Sequence, residues 1–327
     1  MIIETLINKA KHNRKKIVLP ETNDLRVLTA ASKVDFADII LIGNEKDIND
    51  LAYNNNINLN NTKIINPKSS ELTAKLIKDF YELRKTKGIT LDDAKELIEN
   101  NHLYFGCMLV KCGYANGLVA GAITTSSDVL RAALQTVKTA PDTSLVSSFF
   151  IMELENKTLG ENGTFIYSDC GLNINPTSNE LVEIAYSSAK SFQELVDSTP
   201  KVAMLSHSSF GSSKSEDVTK MQDATKKFKE KYPNIILDGE LQLDAAIIPE
   251  IAQSKAPNSI LKGNANVLIF PNIDAGNIAY KITERMANAK AYGPITQGMA
   301  KPINDLSRGC NSDDIIGAIA ITCIQAK

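Results

Sequence analysis

The segment Gly293–Asp314, GPITQGMAKPINDLSRGCNSDD, holds the densest set of residues able to act on an anionic substrate. It sets Ser307 and Arg308 side by side before Gly309 and runs into Asp313 and Asp314 at the mouth of an apolar stretch, 315–325. A guanidinium takes an anionic oxygen bidentately and a serine hydroxyl can donate to a developing oxyanion, so acyl or phosphoryl chemistry suits this loop. Helix entry uses the same residue types: Ser312 would serve as an N-cap, and two aspartates favour the positive end of a helix dipole. Cys310 stands beside Arg308 without a paired histidine in sequence, which reads as packing or as an alkylation-sensitive thiol rather than as a nucleophile.

Three further loops can bind anions. Ser206–Glu216, SHSSFGSSKSE, follows an expected strand and precedes an expected helix. Its backbone amides with Ser206, Ser208, Ser209, Gly211, Ser212 and Lys214 can form an anion nest, although the full pattern of a nucleotide-triphosphate loop is absent. An ordinary polar strand-to-helix loop has the same composition. Gly121–Asp128 leads into Val129-Leu130-Arg131, where Ser127 or Asp128 can cap a helix and Arg131 falls in its first turn. Arg84 is a second cation; taken alone, both arginines also fit a solvated surface. In Pro271–Asn277 a strand turns into a helix, and Asp274 or Asn277 can either bond a ligand or cap that helix. His12, His102 and His207 share no metal-ligand spacing, so no metal site is expected.

These loops need a scaffold. Short β-branched runs alternate with stretches of helical period, the pattern of an α/β protein with mainly parallel sheets. Strands are expected at 16–19, 39–42, 63–65, 118–122, 146–152, 164–168, 201–205, 235–238 and 265–270. Helices are expected at 71–85, where Leu72, Leu76, Phe80 and Leu83 recur, from Thr90 with its capping partner Asp93, at 103–112, and at 276–290. Ligands in open α/β folds sit beyond the carboxyl ends of strands, where all four loops fall. Ala140-Pro141-Asp142 and Tyr292-Gly293-Pro294 read as hinges between two domains, 1–141 with 295–327 and 142–294.

Lys and Arg number 36 against 38 Asp and Glu in 327 residues, a net charge of −2. A polyanion such as nucleic acid needs a concentrated basic surface, so it is excluded as the main partner, and any small anion must be met by a few placed groups. The start of the chain has no apolar signal core, and 315–324 is too short to span a bilayer, so no membrane association is expected. Five scattered cysteines without a Cys-x-x-Cys pair fit a reduced cytoplasm.

Taken together, Gly293-Pro294 to Gln297-Gly298 and Ala300–Cys310 resemble the signature of the phosphate acetyltransferase (phosphotransacetylase) family. Also similar are Leu19-Pro20-Glu21, Thr139-Ala140-Pro141, Asp169-Cys170, Asn175-Pro176-Thr177, the 206–216 loop, Asp238–Ala246 and Pro271–Lys281. The resemblance covers nearly the whole chain. It implies reversible acetyl transfer between coenzyme A and orthophosphate, with coenzyme A as substrate and no cofactor. It also implies two α/β domains like those of isocitrate and isopropylmalate dehydrogenases, an active-site cleft between them, and a homodimer. By match to the family motif, Ser307, Arg308 and Asp314 are the expected catalytic residues, spacing favouring Asp314 over Asp313. Arg131, Arg84, the 206–214 loop, Asn277 and Lys281 are expected to bind substrate. The alternatives are phosphate butyryltransferase, which differs in its acyl pocket, and a hydroxyacid dehydrogenase on the same fold.

Overall fold

The computed structural model describes residues 2–141 and 143–326; Asp142 of the expected hinge and the chain ends Met1 and Lys327 lie outside them. The chain forms two compact units. One comprises 3–141 and 299–326, the other 143–298 with Ile2.

The first unit is built on five parallel strands in the order β11-β4-β1-β2-β3, with β1 at Lys16–Leu19, β2 at Asp38–Ile42, β3 at Thr62–Ile65, β4 at Gly117–Val119 and β11 at Ile303–Asn304. After their first residues β1 and β2 are buried on both faces, as are β4 and β11, whereas the edge strand β3 buries only Ile65. Helices Thr73–Arg84, Leu91–Asn100, His102–Lys111 and Ser126–Thr136 supply Phe80, Ile98, Phe105, Met108 and Val129 to a core shared with Val18 and Ile40. Each fully buried side chain of this size contributes roughly 1.5–3 kcal/mol. The expected capping box between Thr90 and Asp93 is formed. Helix Ser312–Gln325 is buried almost all round and packs against helix Leu25–Lys33, β1 and β4. The Asn304 amide ties β11 to it by donating to Thr322 Oγ1 and Gln325 Oε1 at 2.8 and 2.7 Å.

Successive strands β1 to β3 run to one side, whereas β4 and β11 lie on the other. The sheet therefore has its switch point between β1 and β4, and the loops after β1, β4 and β11 converge at its carboxyl end.

The second unit holds a mixed sheet in the order β10-β5-β6-β9-β7-β8: β5 Ser147–Glu153, β6 Thr164–Ser168, β7 Lys201–Leu205, β8 Ile236–Leu241, β9 Val267–Ile269 and β10 Lys290–Gln297. The pairs β10/β5 and β5/β6 are antiparallel and the rest parallel. Phe150 stacks on Tyr280 at 4.0 Å within a core that includes Tyr167 and Phe270.

Several expected boundaries move. Tyr292-Gly293-Pro294 is not a free hinge but lies inside β10, where the register shifts between Tyr292 and Ile295 and so accommodates a residue with no N–H to give. Residues 295–297 accordingly pair with β5, in the second unit. The helix expected at 276–290 spans Ile273–Met286, started by Asn272, whose side chain accepts from the Ala275 amide. Expected strand 118–122 stops at Val119, because Gly121 takes φ +107° and turns the chain. A methyl group there would collide with Asp305 Oδ1 and come within 2.6 Å of the Leu306 amide nitrogen. Gly121→Ala should therefore lose about 2–4 kcal/mol through strain and overpacking, read as a lower denaturation midpoint at unchanged slope.

Candidate active site

Two clusters emerge, one in each unit. In the parallel-sheet unit, Glu21 follows β1 and is buried. Its carboxylate accepts from the amides of Ala122 and Thr124 at 2.8 Å and of Ile123 at 3.2 Å, closing the turn after β4 around itself. Helix Ser126–Thr136 begins there, capped by Thr125 rather than by Ser127 or Asp128. Arg131 is one turn further in than expected and ion-pairs with Asp128 at 2.7 Å, both exposed. Arg84 ends helix Thr73–Arg84 with its Nε buried and unpartnered. Both arginines lie close enough to favour ionisation of the Tyr104 phenol, although burial dominates and raises it. Arg84 and Arg131 thus share one neighbourhood.

The loop after β11 exposes Ser307, Arg308 and Gly309. What holds it is Arg26, at the start of helix Leu25–Lys33. Its guanidinium grips Asp24 at 2.6 Å and donates to the carbonyls of Arg308 at 2.9 Å, Cys310 at 2.8 Å and Ala122 at 2.8 Å. One side chain therefore ties together all three loops of the carboxyl end, using the planar fork that only arginine has. No expectation singled it out, because its partners are distant in sequence and Asp-x-Arg at a helix start reads as a surface pair. Asp314 sits in a capping box with Asn311, which replaces Ser312 as the N-cap: the Asp314 carboxylate accepts from the Asn311 amide at 2.9 Å. Asp313 points to Lys33 at 3.7 Å and is exposed.

In the mixed-sheet unit the 206–214 loop is already internally bonded. Ser208 and Ser209 are buried. The Ser208 hydroxyl and the Gly211 amide both donate to Glu240 at 2.7 Å, and the Ser209 hydroxyl accepts from the Gln242 amide at 3.0 Å. The expected open nest is thus partly filled by a side chain of the protein itself. Ser206 is half-buried, while Ser212 and Lys214 are exposed. The Asn277 amide donates to the Cys170 carbonyl at 3.0 Å, and the exposed Lys281 lies over the Tyr280 ring. Among the described residues, no three His, Cys, Asp or Glu side chains are grouped to hold a metal, and no helix is long and apolar enough to cross a membrane.

The family model for Phosphate acetyl/butaryl transferase matches residues 1–323. The chain belongs to that family. It is 54% identical over 328 residues to a phosphate acetyltransferase of Acetivibrio thermocellus, covering 99% of this chain and 98% of the relative. Among solved structures, the EutD phosphotransacetylase from Staphylococcus aureus matches with a TM-score of 0.91 and 44% identity, covering 100% of this chain and 98% of that one. A Salmonella typhimurium structure described as a 4-hydroxythreonine-4-phosphate dehydrogenase, 11% identical, matches with a TM-score of 0.55 over 96% and 99% of the two chains, which extends the likeness to dehydrogenases at the level of fold. The family member is accordingly an enzyme of the transferase class with a two-sheet α/β architecture.

Two outcomes follow. Arg26→Lys keeps the charge but cannot span the three carbonyls, so unfolding should become easier by about 1–3 kcal/mol in denaturant titration. Burial pushes the Cys310 and Cys112 thiols up to about 11 and those of Cys107 and Cys323 to about 12, and raises Cys170 well above the usual range. At pH 8 a thiol of pKa 11 is roughly one part in a thousand thiolate. Native protein should react slowly with a thiol reagent, all five cysteines titrating only after denaturation.

Proposed function

We propose that the chain is a phosphate acetyltransferase, moving acetyl reversibly between coenzyme A and orthophosphate with acetyl phosphate as the second product, and working as a cytoplasmic homodimer. The observation carrying this reading is the exposed Ser307–Arg308 pair at the carboxyl end of the parallel sheet, fixed by Arg26 through backbone carbonyls so that the Arg308 guanidinium is left for a ligand. The 44–54% identity to phosphate acetyltransferases over the whole chain supports the substrate pair.

In the direction of thioester synthesis, Asp314 takes the proton from the coenzyme A thiol and the thiolate attacks the carbonyl carbon of acetyl phosphate. Ser307 donates to the oxyanion of the tetrahedral intermediate. As the intermediate collapses, the C–O bond to phosphate breaks and the leaving dianion is held by Arg308, Arg131 and Arg84. A thiol near 8.5 and a carboxylate near 3.9 leave the transfer roughly 6 kcal/mol uphill, so the arginine field must stabilise the thiolate as well as the phosphate. In the second unit, Ser212, Lys214 and Lys281 are exposed donors able to bind an anionic group. Ser206, Ser208, Ser209, Gly211 and Asn277 hold that surface in shape.

Mixing purified protein with acetyl phosphate and coenzyme A should yield thioester. No thioester from either acetyl or butyryl phosphate would defeat the reading, and a preference for butyryl would move the chain to the other activity in its family's name. Ser307→Ala should lower kcat about 10²–10³-fold with phosphate affinity kept; a change confined to KM removes the oxyanion role. Near-normal turnover by Asp314→Asn would remove Asp314 as the base.

A further inference from the structure

Asp305 leaves β11 two residues before Ser307 and is 3% exposed. Neither carboxylate oxygen has a hydrogen-bond partner of ordinary geometry. A carboxylate shut away from water without partners costs free energy, and folded proteins avoid it unless the group does something a neutral isostere would not. Its surroundings are specific. The glycine at 121 leaves room for Oδ1, since any Cβ there would overlap it. The polar groups acting on it are Ser126 from the start of the helix after β4, Glu21 from the loop after β1, and the Leu306 amide and Arg308 from its own loop.

We propose that Asp305 is a positioning residue whose buried negative charge holds the Ser307–Arg308 loop, and with it the Arg308 guanidinium, in the arrangement the reaction uses. This rests on the acetyl-transfer reading given above. Asp305 is buried, so it acts through its neighbours rather than on substrate. Its influence reaches Arg308, three residues on in the same loop, by charge, and a buried carboxylate has a stronger effect than one at a surface. Glu21 is already saturated by three amides, which leaves Asp305 as the carboxylate of this cluster with unused acceptor capacity.

Burial is the main reason the Asp305 carboxyl is pushed up to about 7, with Glu21 adding to the rise; Ser126, the Leu306 amide and Arg308 favour the ionised form but are outweighed. An unfolded aspartate ionises near 3.9, so between about pH 4 and 7 the folded state binds more protons, and the stability this group contributes falls as pH rises through that window. Ionised Asp305 is therefore a destabilising group kept for its effect on the loop, and removing its charge should raise stability while lowering activity.

The test is Asp305→Asn in the full chain. Its melting temperature should equal or exceed that of the wild type at pH 8, with the difference shrinking at pH 5.5, a readout that requires no turnover. Thioester formation at pH 8 should drop at least tenfold, mainly in kcat, and the acidic limb of the wild-type profile near pH 7 should flatten. Activity within twofold of the wild type, or a wild-type limb in the variant, overturns the proposal. A variant that loses activity and melts lower at pH 8 also overturns it, since that marks a plain structural contact. Should the variant not accumulate folded, Ser126→Ala removes a hydroxyl that favours the ionised form and should move the limb to higher pH; an unmoved limb overturns the proposal. Wild-type protein that makes no thioester would sink the acetyl-transfer reading, while the melting comparison would still decide whether Asp305 is a buried charge under strain.

Discussion

Backbone taken out of water must have its amides and carbonyls paired, and the three loops that leave the carboxyl end of the parallel sheet cannot pair with a strand or a helix. Two side chains meet that requirement. Glu21 collects the amides of the turn after β4, and Arg26 collects carbonyls from that turn and from the loop after β11. The Arg308 carbonyl is taken by Arg26 and that of Ser307 by the Cys310 amide, while both residues are exposed. Arg26 is in turn oriented by Asp24, so the site's geometry descends from a charged pair at one helix start.

Much of the scaffold was legible because local rules and tertiary packing agree there. β1, β6 and β7 fall at the expected residues, and the Thr90–Asp93 capping box forms as its spacing implies. The strands that escaped reading are those whose apolar run is interrupted. Gly293-Pro294 splits β10, and Lys301-Pro302 leaves β11 only two residues, held as a strand by its pairing with β4 and its bonds to the last helix. Periodicity cannot register an element whose stability is supplied from outside it.

The site divides in the same way. Ser307 and Arg308 stand out by type and spacing, so the sequence exposes them. Arg26 and Asp305 do not, since what distinguishes Arg26 is partners far along the chain and what distinguishes Asp305 is its burial. An arginine at a helix start is ordinary until its guanidinium is found against carbonyls 96, 282 and 284 residues away. The serine-rich loop shows the converse. Its composition promises an open anion nest, yet Glu240 occupies part of it, because donors grouped in a fold attract the nearest acceptor the protein itself can offer.

The parallel-sheet unit is closed by residues 299–326, which add β11 to its edge and lay the last helix against β1 and β4. Synthesis proceeds from the amino end, so this unit cannot complete its sheet until residues 299–326 have left the ribosome, by which time all of the mixed-sheet unit has been made. A chain released early would keep the mixed-sheet unit whole but lack both the edge strand and the Ser307–Arg308 loop. Such an incomplete product is short of the packing that the last helix supplies, and presents an unpaired β4 edge to whatever removes defective chains.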